Sequence, residues 1–237
     1  MNPIEIRLDG SVVEPSELLR LEVERARRIM ALMMRKLGPQ GMADLFAAEI
    51  RDNSEKLDAA AKAAGGRFHE SVAFGRVREG SAREFIDWFS TTYAGPGAPA
   101  MQRAHPEHLG ALRLAGDRVG IIEVPGHSSS PAVLRLALLE VWDDVAIPLD
   151  PERPERMMGR FENAQGEAVG YLLHQFRDTH PGFEGRFAIY WPEGVSGEIV
   201  AGHGAHLAIE WNNWLRLYLR CKVGGADLVQ TALSAEG

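Results

Sequence analysis

The sequence predicts an α+β fold in which an N-terminal helical part precedes an antiparallel sheet that wraps on a long C-terminal helix. Three observations predict this class. Apolar residues recur at helical spacing up to about residue 64, and the signals after about residue 95 become short and extended. A second helical pattern, with an aromatic face, covers residues 204–220. At 237 residues and 45% hydrophobic content, the chain can bury a substantial core.

The N-terminal pattern runs from Pro15 to about Ala64 and is interrupted at Gly38-Pro39, which predicts two helices. Asn53-Ser54 can open a further helix that Gly65-Gly66 would stop. Ser81, with a glutamate three residues later, forms a capping box that predicts another helix start. We therefore expect a helical region over residues 1–80 and a second region over residues 81–237, although the two can pack as one domain.

The second region contains four segments rich in β-branched, aliphatic and aromatic residues, separated by Gly, Pro, Asn and Asp turns. These predicted strands are residues 118–124, 133–141, 168–177 and 186–191. Together with the C-terminal helix they predict a cavity between helix and sheet where a ligand could bind.

Charge and cysteine content exclude several classes of protein. The net charge of −7, without a run of five like charges, argues against a nucleic-acid partner or a membrane surface. Cys221 is the only cysteine, which excludes an intramolecular disulfide and favours a reducing compartment. Without a secretory or membrane-spanning apolar run, we expect a cytoplasmic protein.

Several histidines and glutamates have positions suited to metal binding. His174 stands in a predicted strand, and His206 and Glu210 share one face of the C-terminal helix. The motif His105-Pro106-Glu107-His108 and either Glu123 or Glu140 could complete a set of two imidazoles and two carboxylates, which suits zinc. Each also has a simpler interpretation: His174 as a core residue, His105-Pro106 as a turn, and His206 with Glu210 as a surface pair. His203 reads as a loop residue.

The order of these motifs resembles the 2,4-diacetylphloroglucinol hydrolase family, to which phloretin hydrolase is related. The resemblance runs from about Glu84 to Tyr218. Its motifs are Glu84-Phe85-Ile86-Asp87-Trp88-Phe89, His105-Pro106-Glu107-His108, His174-Gln175-Phe176-Arg177-Asp178-Thr179 with Gly182, Glu184, Arg186 and Phe187, and His206 to Glu210.

The resemblance implies a helix-grip fold of the Bet v 1 or START type and hydrolysis of a carbon-carbon bond beside an aryl ketone. It also implies a zinc ion bound by His105, Glu123, His174 and Glu210. The substrate would be a small aromatic ketone, such as an acylated polyphenol.

Cleavage of such a bond needs a proton for the departing aryl carbon, because a free carbanion is costly. Tyr93, His108 and His206 are the candidate proton donors. Two other roles remain open: a non-catalytic helix-grip module that binds an apolar small molecule, and a helical interaction protein in which residues 15–64 form a homodimer interface.

Overall fold

The computed structural model describes residues 6–95, 97–116 and 118–224, and its centre is a seven-stranded antiparallel sheet. Helices precede and follow the sheet, so the predicted α+β class is confirmed. A small hairpin of β1 (Arg7–Leu8) and β2 (Ser11–Val12) comes first. The strands of the large sheet are β3 (Phe68–Val77), β4 (His108–Arg113), β5 (Val119–Glu123), β6 (Ala132–Leu138), β7 (Glu155–Glu162), β8 (Ala168–Asp178) and β9 (Phe183–Pro192). Strands β4 to β9 are neighbours in chain order, and β3 pairs with β9 at the other edge.

Three of these strands, β3, β4 and β7, are absent from the sequence prediction. β3 pairs with β9 from Phe68 opposite Pro192 to Val77 opposite Phe183. It lies before the suggested division between residues 80 and 81, yet it forms one edge of the sheet. The first part of the chain is therefore tied to the second by a full row of backbone hydrogen bonds.

The N-terminal helices are α1 (Pro15–Leu45) and α2 (Ala47–Ala64). The predicted interruption is present as a kink at Gly38, whose φ of 64° suits glycine. The predicted stop is also present, because Gly65 ends α2 in the left-handed conformation. The predicted helix start at Asn53 is wrong. Asn53 lies in the interior of α2, and its side-chain amide donates hydrogen bonds to Ser130 and Pro131.

The remaining helices are α3 (Ala82–Ala94), α4 (Ala98–Gln102) and α5 (Gly197–Gly224). The capping prediction at Ser81 is confirmed, since its hydroxyl accepts a hydrogen bond from the Glu84 amide at 3.2 Å. The Asp178 carboxylate, at the end of β8, accepts a second bond from the Ala82 amide at 2.7 Å. α3 is thereby joined to the sheet at its first turn.

α5 packs inside a curved sheet. The Ser71 hydroxyl on edge strand β3 donates to the Val200 carbonyl of the helix, and His108 on the opposite edge strand β4 lies against His206 of the same helix. Both edges therefore reach the helix, so the sheet curves around it. Aromatic side chains that are at most 1% exposed fill the space between the helix and the central strands, namely Phe85, Phe176, Phe183, Phe187 and Trp211.

Within the described residues, no helix combines the length and the hydrophobicity that crossing a bilayer requires.

Candidate metal centre

Two histidines and two glutamates converge between the curved sheet and α5. His108 is the first residue of β4 and Glu123 is the last residue of β5, and the two are opposite each other in the antiparallel ladder. His206 and Glu210 face them from successive turns of α5. Two residues paired across strands therefore meet two residues on one face of a helix.

The distances within this group, which we call the His/Glu cluster (His108, Glu123, His206 and Glu210), are short. His108 Nε2 lies 3.1 Å from His206 Nε2, 3.3 Å from Glu123 Oε2 and 3.2 Å from Glu210 Oε1. His206 Nε2 and Glu123 Oε2 are 4.0 Å apart. His108, Glu123 and His206 thus offer three donor atoms that all lie within 4.8 Å of one another, and Glu210 joins them through its contact with His108.

The cluster is buried, with each side chain less than a tenth exposed. This burial rules out the interpretation of His206 and Glu210 as a surface pair. Burial raises the pKa of Glu210 to about 7, with a further contribution from Glu123. Burial acts in the same direction on Glu123, but its hydrogen bond with His108 and the nearby His206 outweigh it and lower the pKa of that carboxyl group. For His108, burial opposes protonation, but Glu210 and Glu123 together raise its pKa.

Glu107 orients the imidazole of His206. Its carboxylate lies 3.3 Å from His206 Nδ1, and because a carboxylate can only accept, Nδ1 donates the hydrogen. The Nε2 atom of neutral His206 then presents a lone pair to the cluster. A carboxylate behind an imidazole in this way is a common arrangement at metal sites.

His105 lies beside the cluster rather than in it. Its ring stacks on His206 with centroids 3.7 Å apart, and its Nδ1 accepts a hydrogen bond from the Glu107 amide at 3.1 Å. Burial lowers the pKa of His105, with a contribution from His206, so the ring is neutral and carries its hydrogen on Nε2. That buried Nε2 has no hydrogen-bond partner among the described residues. His105, Glu107 and His206 form a second group with donor atoms within 4.8 Å of one another.

His174 occupies a different environment. Its Nδ1 accepts a hydrogen bond from the Ala188 amide at 3.2 Å, and its ring meets Trp211 edge-on at 4.8 Å. Burial lowers its pKa to about 3, so it is neutral. Neither group of converging donor atoms in the described part of the chain includes it. Metal binding by His105 and His174 stays a prediction.

Two further sequence interpretations change. His203, read as a loop residue, lies in α5, where its buried ring stacks on His206 at 4.7 Å. Its i,i+3 spacing from His206 was the signal that could have placed both rings on one helix face. Of the alternative carboxylates, Glu123 is buried in the cluster, whereas Glu140 is exposed after the end of β6.

Tyr93, at the end of α3, is half-buried, and its ring stacks on Phe89 with centroids 5.8 Å apart. Burial raises the pKa of its phenol, and Glu210 and Glu123 raise it further. The phenol is therefore protonated at neutral pH and can donate a hydrogen bond.

Two glycines set the contact between α5 and the turn that follows Glu123. A Cβ atom at Gly126, whose φ is 58°, would lie 2.2 Å from the Ile199 carbonyl oxygen. A Cβ atom at Gly202 would lie 2.5 Å from the His127 amide nitrogen. Since both clashes involve backbone atoms, the helix and turn backbones approach as closely as they do only because both positions lack a side chain.

Comparison with models of protein families gives no match, and neither does comparison with curated proteins.

Proposed function

We propose that the His/Glu cluster binds a divalent metal ion, with zinc as the best fit, and that the protein is a metal-dependent hydrolase. The carrying observation is the spacing of the donor atoms. Bonds of about 2.0 Å in a tetrahedral zinc site separate donor atoms by about 3.3 Å. His108 Nε2 lies 3.1, 3.3 and 3.2 Å from the donor atoms of His206, Glu123 and Glu210.

Charge supports the same assignment. Two carboxylates buried at one point are costly unless cations compensate them. A divalent ion would neutralise both carboxylates. The buried Glu123 Oε1 has no partner among the described residues and is therefore available to coordinate such an ion. We propose His108 and His206 as ligands in addition to the predicted Glu123 and Glu210, and we assign His105 and His174 to supporting roles.

Within the hydrolases, we propose cleavage of a carbon-carbon bond next to a ketone in an acylated polyphenol or a similar aromatic ketone. The resemblance to the diacetylphloroglucinol hydrolase family supports this reaction class, as does the combination of cluster and phenol. The ion would polarise the ketone and lower the pKa of a water molecule toward neutrality.

Tyr93 has the remaining chemical role in this proposal. Water adds to the acyl carbon, which leaves as a carboxylic acid, while the electron pair of the broken bond passes to the aryl carbon. That carbon takes a proton from the phenol of Tyr93, our candidate donor, and the resulting phenolate regains a proton from the attacking water. His108 and His206, the other predicted donors, are occupied as ligands in this scheme.

We also propose that the fold is a helix-grip fold of the Bet v 1 or START type. Its support is the long α5 contacted by both edge strands. The non-catalytic alternative, an apolar ligand held between helix and sheet, is weakened by the aromatic side chains that fill this space, Phe85, Phe176, Phe187 and Trp211.

A homodimer through residues 15–64 is a separate proposal, supported by apolar side chains that α1 exposes. Leu19 is 61% exposed, and Val23, Ile29, Leu32 and Met33 are exposed with it. Light scattering of the intact chain and of a Leu19→Glu variant tests it, because loss of a dimer in the variant is expected. A monomeric intact chain would refute it. The cytoplasmic location also remains a proposal.

The metal proposal is tested by elemental analysis of the purified protein. We expect one zinc, manganese, iron or nickel ion per chain, lost on His206→Ala and Glu210→Gln and retained on His69→Ala, a matched control at an exposed histidine near the start of β3. Ligand binding to the folded state also raises the melting temperature. If the protein binds no ion and added metal leaves the melting temperature unchanged, the hydrolase proposal fails. A screen of acyl-phenols then tests the reaction, and a fully loaded protein inactive on all of them would leave only the metal site.

A further inference from the structure

A cavity of about 870 Å³ lies between α1 and the segment that leads to His105. Five arginines line it: Arg25, Arg27, Arg28, Arg35 and Arg103. Among its lining residues Glu24 is the one acidic side chain, and the Glu24 carboxylate already accepts a hydrogen bond from Arg20. A protein of net charge −7 thus concentrates positive charge at one cavity.

A second cavity of about 230 Å³ adjoins the first. Arg27 and Arg103 line both, and Arg216 and Arg220 of α5 extend the positive surface. No acidic side chain is among the residues described as lining this second cavity.

Arg27 and Arg103 are half-buried, whereas the other arginines of both cavities are exposed. Within residues 6–95, 97–116 and 118–224, neither guanidinium forms an ion pair or a side-chain hydrogen bond. A partly desolvated cation without a counter-ion is unfavourable, and an anion placed at the junction of the two cavities would satisfy both.

The larger cavity comes within one side chain of the His/Glu cluster, because His105 separates the two. His105 and Pro106 form part of its wall, and the ring of His105 stacks on His206 at 3.7 Å. Apolar side chains of α1, namely Leu21, Met30 and Met34, line the cavity together with the arginines of that helix. A ligand in this cavity would contact arginines, apolar side chains and the neighbour of a proposed metal ligand.

We propose that this cavity is the substrate site and that it selects an aromatic ketone bearing a carboxylate, held by Arg27 and Arg103 with the apolar ring against α1. Guanidinium groups bind carboxylates through paired charge-assisted hydrogen bonds. The claim that the bound molecule is a substrate rests on the proposed hydrolase function, whereas the claim that the cavity binds a carboxylate does not.

The test compares 4-acetylbenzoate with its neutral analogue 4-methylacetophenone by calorimetry and NMR titration. We expect the carboxylate to bind at least tenfold more tightly than the neutral ketone. Arg27→Gln and Arg103→Gln should each weaken carboxylate binding by about 10- to 100-fold, the usual loss for one hydrogen bond to a charged group. Arg27→Lys should retain part of the affinity, and Arg113→Gln, an exposed arginine on β4 away from the cavity, should retain all of it.

The same titrations on zinc-treated protein and on the His206→Ala variant separate the two proposals. Carboxylate binding that depends on Arg27 in both samples, without zinc uptake or turnover, would support the anion site while the hydrolase proposal fails. Equal affinity for both ketones, or full affinity in Arg27→Gln and Arg103→Gln, would overturn the inference. Tighter, Arg27-dependent binding of a single-stranded oligonucleotide would also overturn it and identify the surface as a nucleic-acid site.

Discussion

The Nε2 atoms of His108 and His206 lie 3.1 Å apart, although the two residues are 98 positions apart in the chain. Two neutral imidazoles cannot both direct lone pairs at each other without repulsion. The contact is favourable when one Nε2 carries a hydrogen and donates it to the other, or when a cation accepts both lone pairs, as we propose.

The first prediction concerns Glu107, which accepts a hydrogen bond from His206 Nδ1. Glu107→Ala removes this acceptor and frees the ring to rotate, so we expect zinc affinity to fall about 10- to 100-fold with the fold intact. Competition with a chromophoric chelator measures the affinity. Glu107→Gln keeps one acceptor oxygen and should give an intermediate value. Unchanged affinity in the alanine variant would show that Glu107 does not orient the ligand.

The second prediction separates two possible ligand sets. His174 is a neutral ring packed against Trp211, with a pKa of about 3 because it is buried. We expect His174→Gln to retain one zinc ion per chain and His206→Gln to lose it, as measured by elemental analysis. The reverse result would favour the set that the family resemblance implies.

The third prediction concerns pH and Glu162, a buried carboxylate that accepts hydrogen bonds from Arg118 and Arg160. Burial alone would raise its pKa, but the two guanidinium groups outweigh it and lower the pKa below 4.5. Because the folded pKa is the lower one, the stabilisation is fully present above pH 4.5 and disappears as pH falls through the folded value.

We therefore expect Glu162→Gln to lower the free energy of unfolding by about 1–3 kcal/mol at pH 7. The difference from the wild type should shrink as pH falls below 4.5 in urea denaturation series. Glu167→Gln, which changes an exposed carboxylate of the adjoining turn, is the matched control and should have little effect at either pH. A Glu162→Gln deficit that stays constant with pH would contradict the ion-pair explanation.

The fourth prediction concerns Phe85, which is fully buried and contacts aromatic rings of α3, β8, β9 and α5. Phe85→Ala should lower the free energy of unfolding by about 3–5 kcal/mol, since it leaves a cavity among rings that cannot close over it. Phe74→Ala, at a side chain that is 67% exposed, should change it by less than about 0.5 kcal/mol. Similar losses in the two variants would mean that the aromatic cluster is not the stabilising core.

Local signals predicted much of the fold. The Ser81 cap, the Gly38 kink and the Gly65 stop each depend on a few neighbouring residues, and each is present. β3 was missed because its exposed face carries charged residues, including Glu70 and Arg76, and its pairing partner β9 lies over 100 residues later. Such long-range pairing leaves little mark on a local pattern.

In the candidate site, too, the local features were predicted and those that depend on distant strand pairing were missed. The i,i+4 spacing of His206 and Glu210 correctly put both on one helix face. Which histidine opposes them depends on the register of β4 with β5, which sets His108 rather than His105 across from Glu123. A short motif cannot reveal that register, because a shift of one residue turns each side chain to the other face of a strand.

The absence of side chains at Gly126 and Gly202 has a consequence for how the ion preference of the proposed site could change. The two glycines set the distance between the Glu123 carboxylate on the sheet and the His206 imidazole on the helix, although neither glycine takes part in any chemistry. A single methyl group at position 202 would push the turn outward and widen the space in which we propose that an ion binds. Selectivity among ions of different radius could thus be tuned at a distance, with every coordinating side chain left untouched.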